Sequence, residues 1–153
     1  MKAHSSSVKI DLPTFSHSVW VGEIPTLSQT GALGMHVIIE YNECNPDKMS
    51  CIDEIRDVFR KAAALAQCTI VTDCFHAFEP HGVSGVVVIS ESHFTYHGWD
   101  EYGYAAVDLF YCGDQVQIQN AIDHIASYLE SKSFQVVCIP RGTPENILKK
   151  DTN

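Results

Sequence analysis

Apolar residues recur at helical spacing in two segments of the chain. The first segment follows a turn at residues 45–47, with Ser50 as its expected N-cap and Asp53 three positions further on. The second follows Asp114, which is the expected N-cap of its own helix. The two apolar stripes consist of Ile52, Ile55, Val58, Phe59, Ala62 and Ala63, and of Val116, Ile118, Ala121, Ile122, Ile125, Tyr128 and Leu129. This pattern predicts two amphipathic helices, each with one face against a core.

Other segments are rich in β-branched and aromatic residues, which is typical of strands. The predicted strands cover residues 33–41, 68–75, 85–90, 92–97, 102–112 and 134–139, with a turn at residues 98–100. Two main helices on one face of a mostly antiparallel sheet make an α+β fold, a two-layer α/β sandwich. The open face of such a sheet is available to pair with another copy of the chain.

The length of 153 residues fits one domain. Residues 1–30 are rich in Ser, Thr, Pro and His, and we expect them to form an N-terminal extension with one edge strand at residues 18–22. The domain itself is predicted to cover residues 31–140, and residues 141–153 to form a polar tail.

The charge balance narrows the range of partners. Acidic residues outnumber basic residues 19 to 10, for a formal net charge of -9. Such a surface repels nucleic acid and anionic membranes and suits a cationic or zwitterionic small molecule. The sequence contains neither an apolar stretch of ~18–20 residues nor a signal-peptide apolar core. We therefore expect a soluble cytoplasmic protein that binds neither nucleic acid nor membrane.

Polar and reactive residues are dense between residues 78 and 113, within predicted strands. Burying such groups without partners costs ~1–3 kcal/mol each, so a functional site explains their density better than a core does, although each one singly also fits an ordinary strand. The group consists of Ser84, Glu91, Ser92, His93, His97, Glu101, Asp108 and Cys112.

Common site motifs are missing from this region. His93 and His97 share a strand face, but no third ligand follows them, so we predict no metal. The segment Gly82-Val83-Ser84-Gly85 departs from the GxSxG elbow of hydrolases, and there is no glycine-rich phosphate loop. The six cysteines contain no CxxC pair, and most are expected to be buried thiols.

Three segments resemble the bacterial and archaeal S-adenosylmethionine decarboxylases, a pyruvoyl-dependent, self-processing family. They are FEPHGVSGVVVISESH at residues 78–93, HGWDEYGYAAVD at residues 97–108, and Cys112-Gly113. The likeness extends from about residue 33 to residue 139. It implies a proenzyme that decarboxylates S-adenosylmethionine to the aminopropyl donor of spermidine synthesis, releasing CO2.

The resemblance also implies how the cofactor is made. Ser92 Oγ attacks the carbonyl of Glu91 to give an ester, and β-elimination then splits the chain into a β chain of residues 1–91 and an α chain of residues 92–153. The remnant of Ser92 becomes the pyruvoyl group. By the same resemblance, His97 is the base that removes the Cα proton of Ser92, and Ser84 assists processing.

Turnover is likewise assigned by resemblance. The pyruvoyl group forms a Schiff base with the substrate and accepts electrons as CO2 departs. Cys112 matches the acid that protonates the resulting carbanion, Phe78 an aromatic ring that stacks on adenine, and Glu101 an acid that binds the ribose hydroxyls. The active site of the family forms at a dimer interface, so a homodimer of processed protomers is implied.

The chain departs from the family pattern beside these residues. The usual His-Thr-Trp-Pro-Glu is His97-Gly98-Trp99-Asp100-Glu101 here, and Tyr111 replaces a small polar residue. If the substrate is still the nucleoside S-adenosylmethionine, Asp100→Pro, which restores the family residue, is expected to have a neutral or mildly favourable effect on activity. Alternatively, Asp100 pairs with the distal cation of ornithine or arginine in a related pyruvoyl-dependent decarboxylase. A non-catalytic regulatory partner subunit is a third reading, but it would be expected to lose Ser92, His97 or Cys112.

Overall fold

One antiparallel sheet of six strands organises the computed structural model, which describes residues 24–144. The strands are β1 (Gly34–Asn42), β2 (Ile70–Ala77), β3 (Val83–Ile89), β4 (Ser92–Trp99), β5 (Tyr104–Tyr111) and β6 (Ser133–Arg141). Their order across the sheet is β2-β3-β4-β5-β1-β6, and every neighbouring pair is antiparallel. The predicted α+β fold is confirmed.

Both predicted amphipathic helices are present. They are α2 (Ile52–Leu65) and α3 (Ile118–Leu129), and a one-turn helix, α1 (Leu27–Thr30), precedes β1. The apolar stripes of α2 and α3 join alternate strand residues in one core, in which Phe59 and Ile125 meet Val37, Ile39 and Leu109 with no exposed surface. The hydroxyl of Tyr41 donates to the carbonyl of Ile122 and fixes α3 to β1.

Both predicted N-caps are wrong. Helix α2 is capped by Cys51 rather than Ser50, with no side-chain hydrogen bond, and Asp53 and Glu54 supply negative charge in its first turn. The N-cap of α3 is Gln117, three residues beyond Asp114. The carboxylate of Asp114 instead accepts a hydrogen bond from the backbone N–H of Ser28, 3.2 Å away.

The predicted turn at residues 98–100 is also wrong, because β4 continues through Trp99, which pairs with Tyr104. A 3₁₀ turn at Asp100–Tyr102 then leads into β5. Gly98 fits inside the strand because a Cβ there would lie 2.2 Å from the hydroxyl of Tyr96, so the tyrosine occupies that space. Strand β6 ends at Arg141, one residue into the predicted tail.

We call the sheet surface that faces away from α2 and α3 the open face. Its side chains are half-buried or exposed, and they include Ser84, His93, Thr95, His97 and Asp108. Among residues 24–144, no polar or charged residue is buried. The polar residues of these strands alternate with the core residues and point to the other face, in keeping with the expectation that they do not belong to the core.

The ends of the chain bear on two further expectations. The predicted edge strand at residues 18–22 lies outside the described residues. Within the predicted extension, residues 27–30 form α1, whose N-cap Thr26 makes a capping box with Gln29. Across residues 24–144, none of the helices has the length and apolar character needed to cross a membrane.

Candidate active site

The expected cleavage site lies in a tight hairpin between β3 and β4. Ile89 pairs with Ser92, which leaves Ser90 and Glu91 as a two-residue loop. Two hydrogen bonds tie this loop to the backbone of Thr69, the residue before β2. Ser90 N–H donates to Thr69 O at 2.8 Å, and Thr69 N–H donates to the Glu91 side-chain carboxylate at 3.0 Å. The loop is thus held in place on both sides of its turn.

Ser92 has an unusual backbone conformation. Its φ is 143°, a value that L-residues rarely adopt and that costs about 1–3 kcal/mol when the surroundings impose it. The strained residue directly follows the Glu91–Ser92 peptide bond, whose cleavage the resemblance to the family implies. The Ser92 hydroxyl lies 3.2 Å from Nδ1 of the next residue, His93.

Cys112 follows β5 directly beside this loop. Its backbone N–H donates to the carbonyl oxygen of Glu91 at 2.9 Å, so the carbonyl expected to be attacked already accepts a hydrogen bond. The side chain of Cys112 is exposed. We call Glu91, Ser92, His93 and Cys112 the scissile group.

The other cysteines differ in accessibility. Cys44 is buried, and burial raises the pKa of the half-buried Cys68 and Cys138 thiols to about 12 and about 11. Such thiols remain protonated and unreactive at neutral pH. Cys51 and Cys74 are exposed, as Cys112 is, so the expectation that most cysteines are buried is only partly met.

A second set of predicted residues lies at the opposite end of β4. Ser84 Oγ and His97 Nδ1 are 2.9 Å apart across the β3–β4 pair. They line a cleft of about 290 Å³ together with the Phe78 and Trp99 rings, which are 51% and 41% exposed. Two exposed aromatic rings on a cleft can stack on a planar ligand.

Glu101 lies close to His81, one of the residues that line this cleft. Its carboxylate lies within 4.8 Å of ligand atoms of His81 and Asp100. The two oxygens of Asp100 are both engaged, because Oδ1 accepts from Gly82 N–H at 2.9 Å and Oδ2 lies 3.2 Å from His81 Nδ1. These contacts explain the closeness of the His81, Asp100 and Glu101 side chains, and no bound ion is needed to explain it. We call Phe78, Ser84, His97 and Glu101 the cleft group.

The two groups do not meet within one chain. His97 is five residues from Ser92 along β4, which corresponds to about 17 Å at ~3.3 Å per residue. The predicted processing base therefore lies far from the serine on which it is expected to act. The hydrogen bond of His97 goes to Ser84 instead.

Several site contacts were not predicted from the sequence. The hydrogen bond between Ser92 and His93, the link from Asp100 to Gly82 and His81, and the hydrogen bond of Cys112 to Glu91 all depend on local geometry. Adjacency of Ser92 and His93 in the sequence was a signal for the first. The other two depend on strand register, which periodicity does not supply.

A larger and more open cleft, of about 340 Å³, lies between α2 and α3. Its lining includes Glu54, Asp57, His124 and Tyr128, and none of the predicted site residues. Burial and the nearby Lys61 lower the pKa of His124. We do not assign the predicted chemistry to this cleft.

Comparison with known proteins identifies a family for most of the chain. The family model described as S-adenosylmethionine decarboxylase matches residues 35–142. A protein of Oceanobacillus iheyensis named S-adenosylmethionine decarboxylase proenzyme is 51% identical over 110 residues, which cover 72% of this chain and 87% of that protein. A Thermotoga petrophila protein of the same name is 46% identical over 116 residues, covering 76% of this chain and 89% of that protein.

A solved structure has a similar fold. The crystal structure of the adenosylmethionine decarboxylase from Aquifex aeolicus superimposes with a TM-score of 0.69 at 31% identity. The match covers 80% of this chain and 98% of that one. The residues matched by the family model, 35–142, contain both the scissile group and the cleft group.

Proposed function

Because this chain belongs to the S-adenosylmethionine decarboxylase family, we propose that it is a self-cleaving carboxy-lyase that converts S-adenosylmethionine to its decarboxylated form, with a pyruvoyl group made from its own Ser92. The observation that carries the proposal is the scissile hairpin. There a strained serine follows a carbonyl that is already hydrogen-bonded by Cys112 N–H.

The scissile group suits the formation of the cofactor. Attack of Ser92 Oγ on the Glu91 carbonyl places negative charge on the oxygen that Cys112 N–H contacts, and an N–H donor at that position stabilises the developing oxyanion. Conversion of the peptide bond to an ester also releases the strain at Ser92. The residues present thus fit a serine-derived pyruvoyl group, which supplies a ketone for the substrate amine and an electron sink.

The cleft group suits the substrate. The ring of Phe78 contacts His76 edge to face and is otherwise about half exposed, so it can stack on adenine, and Glu101 offers a carboxylate to ribose hydroxyls. Asp100 is poorly placed to receive a distal ammonium group, because its side chain is only 13% exposed and its carboxylate already bonds Gly82 N–H and contacts His81. This disfavours ornithine or arginine as the substrate. A purely regulatory subunit is disfavoured because Ser92, His97 and Cys112 are all retained.

A homodimer joins the two groups. One chain keeps its scissile group and its cleft group about 17 Å apart along β4, so the cleft group of a second copy is needed beside Ser92. We assign the open face to this contact, because Ser84 and His97 lie on it and its side chains are only partly covered. In the dimer, His97 of one copy takes the Cα proton of Ser92 in the other, with Ser84 holding the imidazole ring.

Intact-mass measurement of the purified chain tests self-cleavage. The wild type should separate into residues 1–91 and residues 92–153, with the second fragment blocked at its N-terminus, because Ser92 becomes a pyruvoyl group. Ser92→Ala should remain one chain, while Ser90→Ala, a matched change in the same loop, should cleave normally. An active wild type that keeps an unmodified serine in one 17.0 kDa chain would contradict the mechanism.

Release of CO2 from carboxyl-labelled S-adenosylmethionine, ornithine and arginine by the cleaved protein tests the substrate. We expect release from S-adenosylmethionine alone. Phe78→Ala and Glu101→Gln should each lower its use about tenfold, because stacking or a charged hydrogen bond contributes about 1–3 kcal/mol. Both variants should still cleave. Turnover of only the amino acids would overturn the substrate assignment.

A further inference from the structure

His93 lies next to the serine that is consumed in processing, and the chemistry described above gives it no role. Its ring is half-buried on the open face, with an edge-to-face contact to Phe110 at 5.7 Å between ring centroids. This contact holds the ring so that Nδ1 lies 3.2 Å from Ser92 Oγ. That distance is within the reach expected of a general base before reaction.

We propose that His93 is the base that accepts the hydroxyl proton of Ser92 in the first step of self-cleavage, the shift of the Glu91 acyl group from nitrogen to oxygen. The assignment rests on the proposed cleavage between Glu91 and Ser92. It concerns a step before the elimination for which His97 is proposed, and a different proton.

The surroundings of His93 keep it able to accept that proton. Burial and the neighbouring His36 on β1 lower its pKa, and Asp108 on β5 opposes this effect only in part. The carboxylate of Asp108 lies 3.5 Å from Nε2 of His36. The His93 ring is therefore neutral at neutral pH, and Nδ1 accepts from Ser92 when the ring proton is on Nε2.

Position along β4 separates His93 from the other candidate. His97 lies four residues further on and bonds Ser84. Within residues 24–144, His93 supplies the side-chain hydrogen bond of the Ser92 hydroxyl. The hairpin thus has a base, His93, beside the nucleophile Ser92 Oγ. The carbonyl of Glu91 that Ser92 attacks has a donor in the N–H of Cys112.

The step is balanced in atoms and charge. The Ser92 Oγ–H proton moves to His93 Nδ1 as Oγ bonds to the Glu91 carbonyl carbon, whose oxygen becomes negative beside Cys112 N–H. The carbon–nitrogen bond then breaks, and the departing Ser92 nitrogen takes the proton back from His93. The products are an ester between Glu91 and Ser92 Oγ, a free amine on Ser92, and a neutral His93, with no other reactant needed.

The test uses the full-length variants His93→Ala and His93→Gln, with fragment formation followed by intact mass. Glutamine keeps a polar group near Oγ but cannot take up its proton. Removal of a general base slows its step by ~10²–10⁴-fold, so both variants should cleave at least about a hundredfold more slowly than the wild type. His124→Gln, which removes an imidazole from the cleft between α2 and α3, away from both groups, should cleave at the wild-type rate.

Hydroxylamine identifies the step at which a variant stalls, because it cleaves esters much faster than peptide bonds. Chains stalled by the loss of His93 should resist it, since the amide has not yet become an ester. Free imidazole should restore part of the rate to His93→Ala. The circular dichroism spectra should match the wild type, and if the alanine variant fails to fold, the glutamine variant is decisive.

Wild-type cleavage rates in a His93 variant would overturn the assignment. So would stalled chains that hydroxylamine splits, because the block would then follow ester formation, or a folded alanine variant that imidazole does not rescue. A wild type that never cleaves would instead refute the proposed function, and the two failures are thereby distinguished.

Discussion

At Cys112, the backbone and the side chain belong to different steps of the proposed chemistry. The N–H contacts the Glu91 carbonyl during self-cleavage, whereas the exposed thiol is the proposed proton donor in turnover. A side-chain substitution keeps the first contact and removes the second.

Cys112→Ala should therefore cleave at close to the wild-type rate and then lose turnover by about a hundredfold or more, the usual contribution of a general acid. Cleavage is measured by intact mass, and turnover by CO2 release. Cys51→Ala removes another exposed cysteine, one whose side chain makes no capping hydrogen bond, and should leave both steps unchanged. Wild-type turnover in Cys112→Ala would show that the thiol is not the acid.

Individual site residues were recognisable only through their resemblance to a family. A lone serine, histidine or cysteine in a strand is more often structural than catalytic, so composition and spacing left Ser92, His97 and Cys112 undecided. The motif assigned their roles. It gave no sign of the link from Asp100 to Gly82 and His81, because the family has proline at that position.

At the scale of elements, hydrophobic periodicity predicted the helices and the sheet well. Periodicity reports which face of a helix is buried. Both α2 and α3 bury their apolar faces against the same core, so periodicity predicted both helices. Element ends were less predictable, because tertiary contacts compete for the capping groups. Asp114 bonds Ser28 instead of capping α3, and pairing with Tyr104 keeps Trp99 in β4 rather than in a turn.

The end of β4 provides a prediction at this scale. Asp100 joins β4 to the Phe78–Gly82 loop, since its carboxylate accepts from Gly82 N–H and contacts His81, while Phe78 N–H donates to Gly82 O. Asp100→Pro loses both side-chain contacts. We expect the KM for S-adenosylmethionine to rise about tenfold, the scale of one hydrogen bond to a charged group. This reverses the neutral effect expected from the family pattern.

Asp100→Asn keeps an oxygen for Gly82 N–H and should raise the KM less than proline does. Neither variant should slow self-cleavage, because the side chain of Asp100 contacts His81 and Gly82 and not the proposed processing residues Ser84 and His97. Asp114→Asn, which alters a carboxylate outside both groups, is the matched control and should leave the KM unchanged. An unchanged KM in Asp100→Pro would show that the link does not position the cleft.

At the scale of the whole molecule, the fold leaves one sheet face with partly covered histidines and carboxylates, and it divides the site residues between two ends of β4. Sequence periodicity predicted the open face. The predicted strand at residues 92–97 already placed Ser92 and His97 at its two ends. Periodicity could not predict that Ser84 lies beside His97, because that pairing depends on strand register. A second copy of the chain accounts for both features, since a two-fold interface presents the same groups from each subunit.

Complementation between two inactive chains tests this arrangement. His97→Ala keeps a reactive Ser92 but lacks the base, and Ser92→Ala keeps the base but lacks the serine. Expressed separately, neither should form the two fragments. Expressed together with different affinity tags, they form mixed dimers in which Ser92 of the first chain meets His97 of the second. With random pairing, about half of the His97→Ala chains should then be cleaved, all of them in mixed dimers.

Co-expression of Ser92→Ala with a Ser92→Ala/His97→Ala chain is the matched control and should give no fragments. If mixed dimers recovered through both tags contain only intact chains, the two groups act within one subunit, and β4 must rearrange to bring His97 to its own Ser92.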